Sequence, residues 1–146
     1  MPAARTNPIL QAALVDLIDL SLLGKQAHWN VRGANFRSVH LELDDVIDLV
    51  RVNSDDVAER LAAVGGSPDG RAATVAATSQ VPNIEPGPIA APVVVREFST
   101  RISEAARRIE TVLPELDEDM PSQDLLIGII TGLDKAAWML RSQAES

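Results

Sequence analysis

Apolar residues recur at helical spacing along most of this sequence. The first such segment is preceded by Asn7-Pro8, a cap residue followed by a proline suited to the first helical position, and Gly33 can end it. We therefore expect a helix over residues 8–32. Its apolar positions are Ile9, Leu10, Ala13, Leu14, Leu17, Ile18, Leu20, Leu23 and Ala27.

Three more long helices are predicted on the same grounds, over residues 36–64, 91–115 and 121–144. Residues 65–90 differ, because they are rich in Gly and Pro, and only residues 71–78 within them are expected to be helical. The sequence thus predicts an all-α fold in one domain over residues 1–146. That fold is a ferritin-like four-helix bundle with a long crossover, containing a short helix, between helices 2 and 3.

Composition narrows the classes of function. The chain has 146 residues, no Cys and a net charge of −8, so disulfides and thiolate chemistry are excluded. The acidic charge disfavours nucleic-acid binding and suits a protein that handles cations. No apolar run approaches the ~18 residues of a membrane span, and the N-terminus lacks a signal-peptide pattern. We therefore expect a cytoplasmic protein with no membrane association.

Two histidines and three carboxylates form the candidate chemical site. His28 and His40 each lie in a predicted long helix, and Asp44 follows His40 by four residues, so His40 and Asp44 share a helical face. Asp55 and Glu59 repeat this spacing, and Asp56 lies beside them. At ~100° per residue, the four residues His40, Asp44, Asp55 and Glu59 fall on one side of the second helix. Imidazole and carboxylate together suit iron, manganese or zinc, although such carboxylates can also form a solvated face.

Axial distances limit how these residues can cooperate. Asp44 and Asp55 are ~16 Å apart along a straight helix, and His40 and Glu59 are ~28 Å apart. A metal–ligand bond is only ~2 Å long, so one ion cannot touch both ends of the helix. Either the two pairs are unrelated, or two copies of the helix pack antiparallel across a twofold axis and form two equivalent sites.

One segment has a highly specific pattern. It contains the run Lys25-Gln26-Ala27-His28-Trp29-Asn30, a second His twelve residues after the first, and a carboxylate four residues beyond that. This pattern closely resembles the Dps family, the small bacterial ferritins induced in starvation. The stretch from Asp55 to Arg60 with Gly65-Gly66, and Leu133-Asp134-Lys135 with Trp138, are similar to the same family. The resemblance covers essentially the whole chain.

The resemblance implies a hollow homododecamer with ferroxidase sites at twofold dimer interfaces. His28, His40 and Asp44 would come from one subunit, and Asp55 and Glu59 from its twofold mate. The implied chemistry is oxidation of Fe(II), often with hydrogen peroxide in preference to dioxygen, and storage of Fe(III) mineral, which protects against oxidative damage. Zinc could substitute for iron.

The resemblance also suggests roles around this site. Trp29 would be the nearby aromatic that intercepts stray oxidising equivalents, with core packing as the alternative, and Lys25 would hydrogen-bond near the site. Ions would enter through acidic pores on threefold axes. Some of these acidic residues could serve solubility alone, and Asp124 could complement the helix dipole. The pore candidates are Glu115, Asp117, Glu118, Asp119 and Asp124.

Two observations bear on the rival functions. The first dozen residues hold only Arg5 as a basic residue, and the C-terminal segment 141–146 is close to neutral, so weak or no DNA binding is expected even if the protein associates with the nucleoid. The last two long helices contain no His, which disfavours an intrasubunit di-iron centre. The remaining alternatives are a DNA-compacting structural shell with little iron chemistry and a metal-dependent hydrolase.

Overall fold

The computed structural model describes residues 2–143, with side chains from Arg5 onward. Four long helices pack as a bundle, and a fifth, short helix lies in the crossover between the second and third, which confirms the predicted fold class. The helices are α1 (Pro2–Asn30), α2 (Phe36–Ala63), α3 (Ala72–Thr78), α4 (Ala91–Val112) and α5 (Met120–Ser142). Two short strands, β1 (Val31–Arg32) and β2 (Ile89–Ala90), and a 3-10 helix (Leu113–Leu116) complete the described elements.

The core lies along the bundle axis and is built mainly from aliphatic side chains. Each long helix contributes buried residues three or four positions apart, which is the spacing that keeps side chains on one helical face. Phe98 is the one aromatic side chain among the largest fully buried ones in the described part of the chain. The others are Leu10, Leu17, Leu20, Leu43, Ile47, Leu61, Ile102, Leu116, Leu126, Leu133 and Leu140.

The start of the first helix corrects the sequence prediction. Helix α1 begins at Pro2, not at Pro8, and Pro8 lies inside it. Pro2 already provides a proline near the helix start, and the Ala residues that follow favour a helix. Pro8 removes one backbone N–H donor, and the long packed helix tolerates this loss. Asn7 is therefore a helical residue and not a cap.

The ends of the other helices also differ slightly from the prediction. Helix α4 ends at Val112, and residues 113–116 tighten into the 3-10 helix. Pro114 explains this change, since it has no N–H to donate to the carbonyl of Glu110. Helix α5 begins at Met120, with Asp119 as its N-cap, one residue before the predicted start. The predicted last residue of this helix, Ala144, lies outside the described residues.

The crossover runs the length of the bundle and is fixed at both ends. Near the end of α2, the Gln11 amide pairs with the backbone of Asp69 through hydrogen bonds of 2.8 and 3.0 Å. At the other end, β1 and β2 pair in parallel, with Val31 opposite Ile89. Arg101 donates to the Pro82 carbonyl at 2.7 Å, which holds the segment between these points against α4. These contacts place the start of α4 beside the junction of α1 and α2.

By length and composition, one described segment, Arg5–Asn30, is apolar enough to cross a membrane. No such segment was expected from the sequence. However, 56% of the most apolar window in this segment is buried inside the bundle. Core helices of bundles have this property, because they are apolar on the faces that pack against their neighbours.

Candidate metal centre

A tight turn brings the two histidines together. Gly33 has φ of 98° and Asn35 has φ of 68°, so the chain passes through two left-handed residues between α1 and α2. Gly favours this conformation because it has no Cβ, and Asn tolerates it better than most residues. The two helices then run antiparallel, and His28 on α1 faces His40 on α2.

The two imidazole rings stack, and each ring forms a hydrogen bond with the backbone carbonyl of the other histidine. Their centroids are 3.7 Å apart and their planes differ by 15°. The Nδ1 of His28 lies 2.8 Å from the backbone carbonyl of His40, and the Nδ1 of His40 lies 2.8 Å from the carbonyl of His28. His28 is buried, with 6% of its surface exposed.

These bonds decide which ring nitrogens are available to a ligand. A carbonyl oxygen only accepts hydrogen bonds, so each Nδ1 must carry a proton and donate it. A neutral imidazole protonated at Nδ1 keeps its lone pair on Nε2, which is the atom that can bind a metal. A hydrogen bond from the other ring nitrogen to a backbone carbonyl is a common support for metal-binding histidines. The pair therefore has two Nε2 atoms set up as donors to metal.

Asp44 lies beside this pair and is already bonded to a cation. The Lys25 ammonium donates to Asp44 Oδ1 at 3.0 Å, and the same oxygen is 3.5 Å from His28 Nδ1. The single N–H of His28 points to the nearer His40 carbonyl, so Lys25 is the main partner of Asp44. The hydrogen bond from Lys25 is the largest cause of a pKa for Asp44 below its ordinary value. The predicted hydrogen bond from Lys25 near the site is thus present.

Asp55, Asp56 and Glu59 lie at the other end of the same helix and are exposed. Because α2 is one continuous helix from Phe36 to Ala63, the calculated separation of ~16 Å between Asp44 and Asp55 applies. Among the described side chains, no group of three or more His, Asp and Glu residues converges closely enough to hold a metal ion. One chain therefore pairs His28 with His40, with Asp44 beside His28 and with Asp55 and Glu59 far along α2, but its described residues do not by themselves complete a metal site.

Two aromatic residues lie near the histidine pair, Trp29 next to His28 in sequence and Phe36 in contact with His40. Trp29 is 63% exposed, so the alternative that it packs in the core of its own chain is wrong. Phe36 stacks on His40 with ring centroids 5.0 Å apart. No role was predicted for Phe36 from the sequence, although its position four residues before His40 places both side chains on one helical face.

The acidic residues proposed to line a pore have different environments. Glu115, Asp117, Glu118 and Asp124 are exposed, and all lie in or near the 3-10 helix and the first turns of α5. Asp119 is different, because its side chain is only 10% exposed and both of its oxygens are engaged. Its contacts disfavour a role in contacting passing ions.

Asp119 instead joins three helices. It accepts hydrogen bonds from Thr6 on α1, from Arg60 on α2, and from both the backbone N–H and the hydroxyl of Ser122 on α5. Burial alone would raise the pKa of Asp119, but hydrogen bonds from Ser122, Thr6 and Arg60 outweigh it and hold the pKa below its usual value. Asp119 is therefore a helix cap and a structural tie.

The four-helix bundle and its long crossover, which contains a short helix, define the class of ferritin-like proteins. The sequence model of the ferritin-like domain matches residues 8–146. The chain is 35% identical to a DNA protection during starvation protein of Mycolicibacterium smegmatis, over 99% of this chain and 79% of that protein. It is 34% identical to DNA protection during starvation protein 2 of Deinococcus radiodurans, over 97% of this chain and only 62% of that longer protein.

A solved structure supports the same assignment. Dps from Microbacterium arborescens, in a form described as high iron, superposes with a TM-score of 0.93 at 32% identity, over 99% of this chain and 95% of that one. The chain belongs to the Dps family.

Proposed function

We propose that this protein oxidises Fe(II) and stores the resulting Fe(III) inside a hollow dodecamer. The observation that carries the proposal is the reciprocal bonding of His28 and His40, which leaves a lone pair on each Nε2, while the Asp44 carboxylate lies within 3.5 Å of the His28 ring. Such a set of nitrogen and oxygen donors suits iron. It also accepts zinc, so zinc is expected to compete with iron.

The rest of each site is proposed to come from a second copy of the chain. If two α2 helices pack antiparallel, the His40 and Asp44 end of one meets the Asp55 and Glu59 end of the other, twice per dimer. The same face of α2 carries Leu41 and Val52, which are 45% and 60% exposed in the single chain. Exposed apolar residues on the face that carries both sets of donors are what a dimer interface would cover.

The chemistry is a two-electron reduction of peroxide by two ferrous ions. Two Fe(II) give one electron each to hydrogen peroxide, and with two protons the products are two Fe(III) and two water molecules. Carboxylates stabilise Fe(III) over Fe(II), since hard anionic oxygen donors favour the higher charge. Asp44, Asp55 and Glu59 would supply this preference, and the histidines would hold the incoming ion.

The same proposal includes entry of iron along acidic paths and little contact with DNA. Glu115, Asp117, Glu118 and Asp124 remain the candidates for a threefold pore, since all four are exposed. A net charge of −8 per chain would make a strongly acidic assembly, which phosphate backbones repel. The names of the relatives refer to DNA protection, and removal of ferrous iron and peroxide together would protect DNA without binding it.

Complementation between two inactive variants tests both the ligands and the interface. His28→Ala/His40→Ala lacks one set of donors, and Asp55→Asn/Glu59→Gln lacks the other. Random co-assembly makes half of the dimers mixed, and each mixed dimer has one intact site of two. Peroxide-dependent Fe(II) oxidation, followed by ultraviolet absorbance of ferric species, should thus recover to about one quarter of the wild-type rate.

Each parent variant alone should show only the background rate of iron oxidation in buffer. If the co-assembled variants oxidise Fe(II) no faster than each parent variant alone, the proposal that two chains share each site is refuted. A wild-type rate no faster than that of the double variants would refute the ferroxidase proposal as a whole. Asp48→Asn, on the same face of α2 but outside the proposed ligands, serves as the matched control for loss of surface charge.

A further inference from the structure

Three aromatic rings stack in a row at the candidate metal centre. The His40 ring lies between His28, at 3.7 Å between centroids, and Phe36, at 5.0 Å with planes 27° apart. Offset stacking at these distances is favourable for aromatic pairs. The position of Phe36 follows from the turn, because α2 begins at Phe36 directly after the left-handed Asn35.

Phe36 contributes little to the core of the chain. It is 41% exposed, and it is not among the buried residues of the hydrophobic cluster. A half-exposed aromatic side chain gains only part of the stabilisation that full burial would bring. Its ring nevertheless covers the face of His40 that is turned away from His28.

The stack limits how the His40 ring can move. A ring held on both faces cannot rotate freely about its Cβ–Cγ bond, so its Nδ1 stays on the carbonyl of His28 and its Nε2 keeps one direction. His28 is buried and needs less support, whereas His40 is only partly buried. A donor fixed in advance binds metal more tightly, because the cost of ordering it is not met at the moment of binding.

We propose that Phe36 is a positioning residue for metal binding, which holds the His40 imidazole in the orientation that presents Nε2. This inference rests on the proposed function of His40 as a ligand, and it adds a specific role for a residue outside the ligand set. Phe36 does not touch the metal; it acts through His40.

The test compares Phe36→Leu, which removes the ring but keeps apolar volume, with Phe36→Tyr, which keeps the ring. The probe is Co²⁺ alone, titrated into the assembled protein without oxidant, with its visible absorption as the readout. Phe36→Leu should bind Co²⁺ about tenfold more weakly, the lower end of the loss caused by removing a residue that supports a ligand. Phe36→Tyr should retain wild-type affinity, and the melting temperatures of both variants should stay within about 3 °C of wild type.

Ile127→Ala is the matched control, because it removes a comparably exposed apolar side chain, 45% exposed, on α5. Its affinity for Co²⁺ should not change. Equal affinity in wild type and Phe36→Leu, or equal loss in Phe36→Leu and Phe36→Tyr, would overturn the positioning role. A Phe36→Leu chain that does not fold would show a structural role and overturn it too. If the wild-type protein itself binds no Co²⁺, the proposed function fails first, and the two failures are distinguishable.

Discussion

Lys25 and Asp44 form an ion pair across α1 and α2, with Nζ and Oδ1 3.0 Å apart, at the position where the proposed iron ligands meet. The ammonium group neutralises a carboxylate that an incoming cation would otherwise bind. A metal that binds Asp44 through Oδ1 would therefore have to displace Lys25. If the proposed function holds, Lys25 is thus a competitor of iron for Asp44.

Removal of that competitor should strengthen metal binding. Lys25→Met keeps most of the apolar stem and deletes the charge, so the affinity for Co²⁺ or Zn²⁺ should rise by up to about fivefold, the scale of a partly exposed ion pair. Isothermal titration measures this directly. Lys25→Arg keeps the positive charge and is the control, and its affinity should stay near that of wild type. Weaker binding by Lys25→Met would mean that Lys25 orients Asp44 more than it competes.

Gly24 controls how closely α1 approaches α2, one turn before His28. A Cβ placed at this position would lie 3.1 Å from Cγ1 of Ile47, which is tighter than an ordinary contact. Gly24→Val should therefore destabilise the protein by about 1–3 kcal/mol through overpacking, measured by urea unfolding. Its iron oxidation should also fall, because the histidine stack depends on the same helix spacing.

Gly128→Ala is the matched control for Gly24. A Cβ at Gly128 meets no atom within 4 Å, and the residue lies inside helix α5. Ala is the better helix former by about 1 kcal/mol, so this substitution should stabilise the chain slightly. If Gly24→Val lowers the free energy of unfolding and Gly128→Ala raises it, the requirement for Gly at position 24 comes from its contact with α2 and not from helix propensity.

The Asp119 network predicts a pH dependence of stability. Its pKa is lowered in the folded state, so its contribution is fully present above the unfolded value of about 4 and is lost as pH falls through the lower folded pKa. Asp119→Asn should cost about 2 kcal/mol at neutral pH, since its NH2 group cannot accept the hydrogen bonds from Thr6 and the Ser122 hydroxyl, and the ion pair with Arg60 is lost. Urea unfolding should show this difference unchanged from pH 7 to 5 and shrinking below about pH 4. A difference that grows on acidification would contradict the assignment.

The charge of the chain predicts its behaviour with DNA. The assembly of this sequence should show no salt-sensitive binding to duplex DNA in a gel shift at physiological ionic strength, since each chain carries a net charge of −8. A variant with an added Lys-rich N-terminal segment should bind and lose affinity steeply with salt. Tight, salt-sensitive binding by the unmodified protein would show that phosphate contacts come from the folded surface.

The helices were predictable from the sequence because their apolar period and their Gly and Pro boundaries are strong local signals. The error at Pro8 arose because a proline can lie inside a helix as well as at its start, and local sequence cannot tell these cases apart when another proline precedes it. The exposure of Trp29 was open for a similar reason, since an apolar residue on a helix can face either the core or a surface.

The sequence suggested which residues form the candidate site but not how they are arranged, and their role as ligands stays a prediction. Spacing placed His40 and Asp44 on one face and separated them from Asp55 and Glu59. The stacking of His28 on His40, and the carbonyl that each ring finds, depend on the path of the turn between α1 and α2. Asp119 shows the same limit, since an acidic residue in an acidic loop proved to be a largely buried helix cap, and only its partners Thr6 and Arg60 reveal this.

The parallel pairing of Val31 with Ile89 also bears on the order of folding. The two residues are 58 positions apart, so the entropy of closing that loop must be overcome before the pairing forms. The turn that joins His28 to His40 spans only twelve residues and can close much earlier. We therefore expect the histidine pair to form early in folding, in the helical hairpin of α1 and α2. The crossover should pack beside this hairpin later. A nascent chain leaving the ribosome would complete this part of the site before α4 has been synthesised.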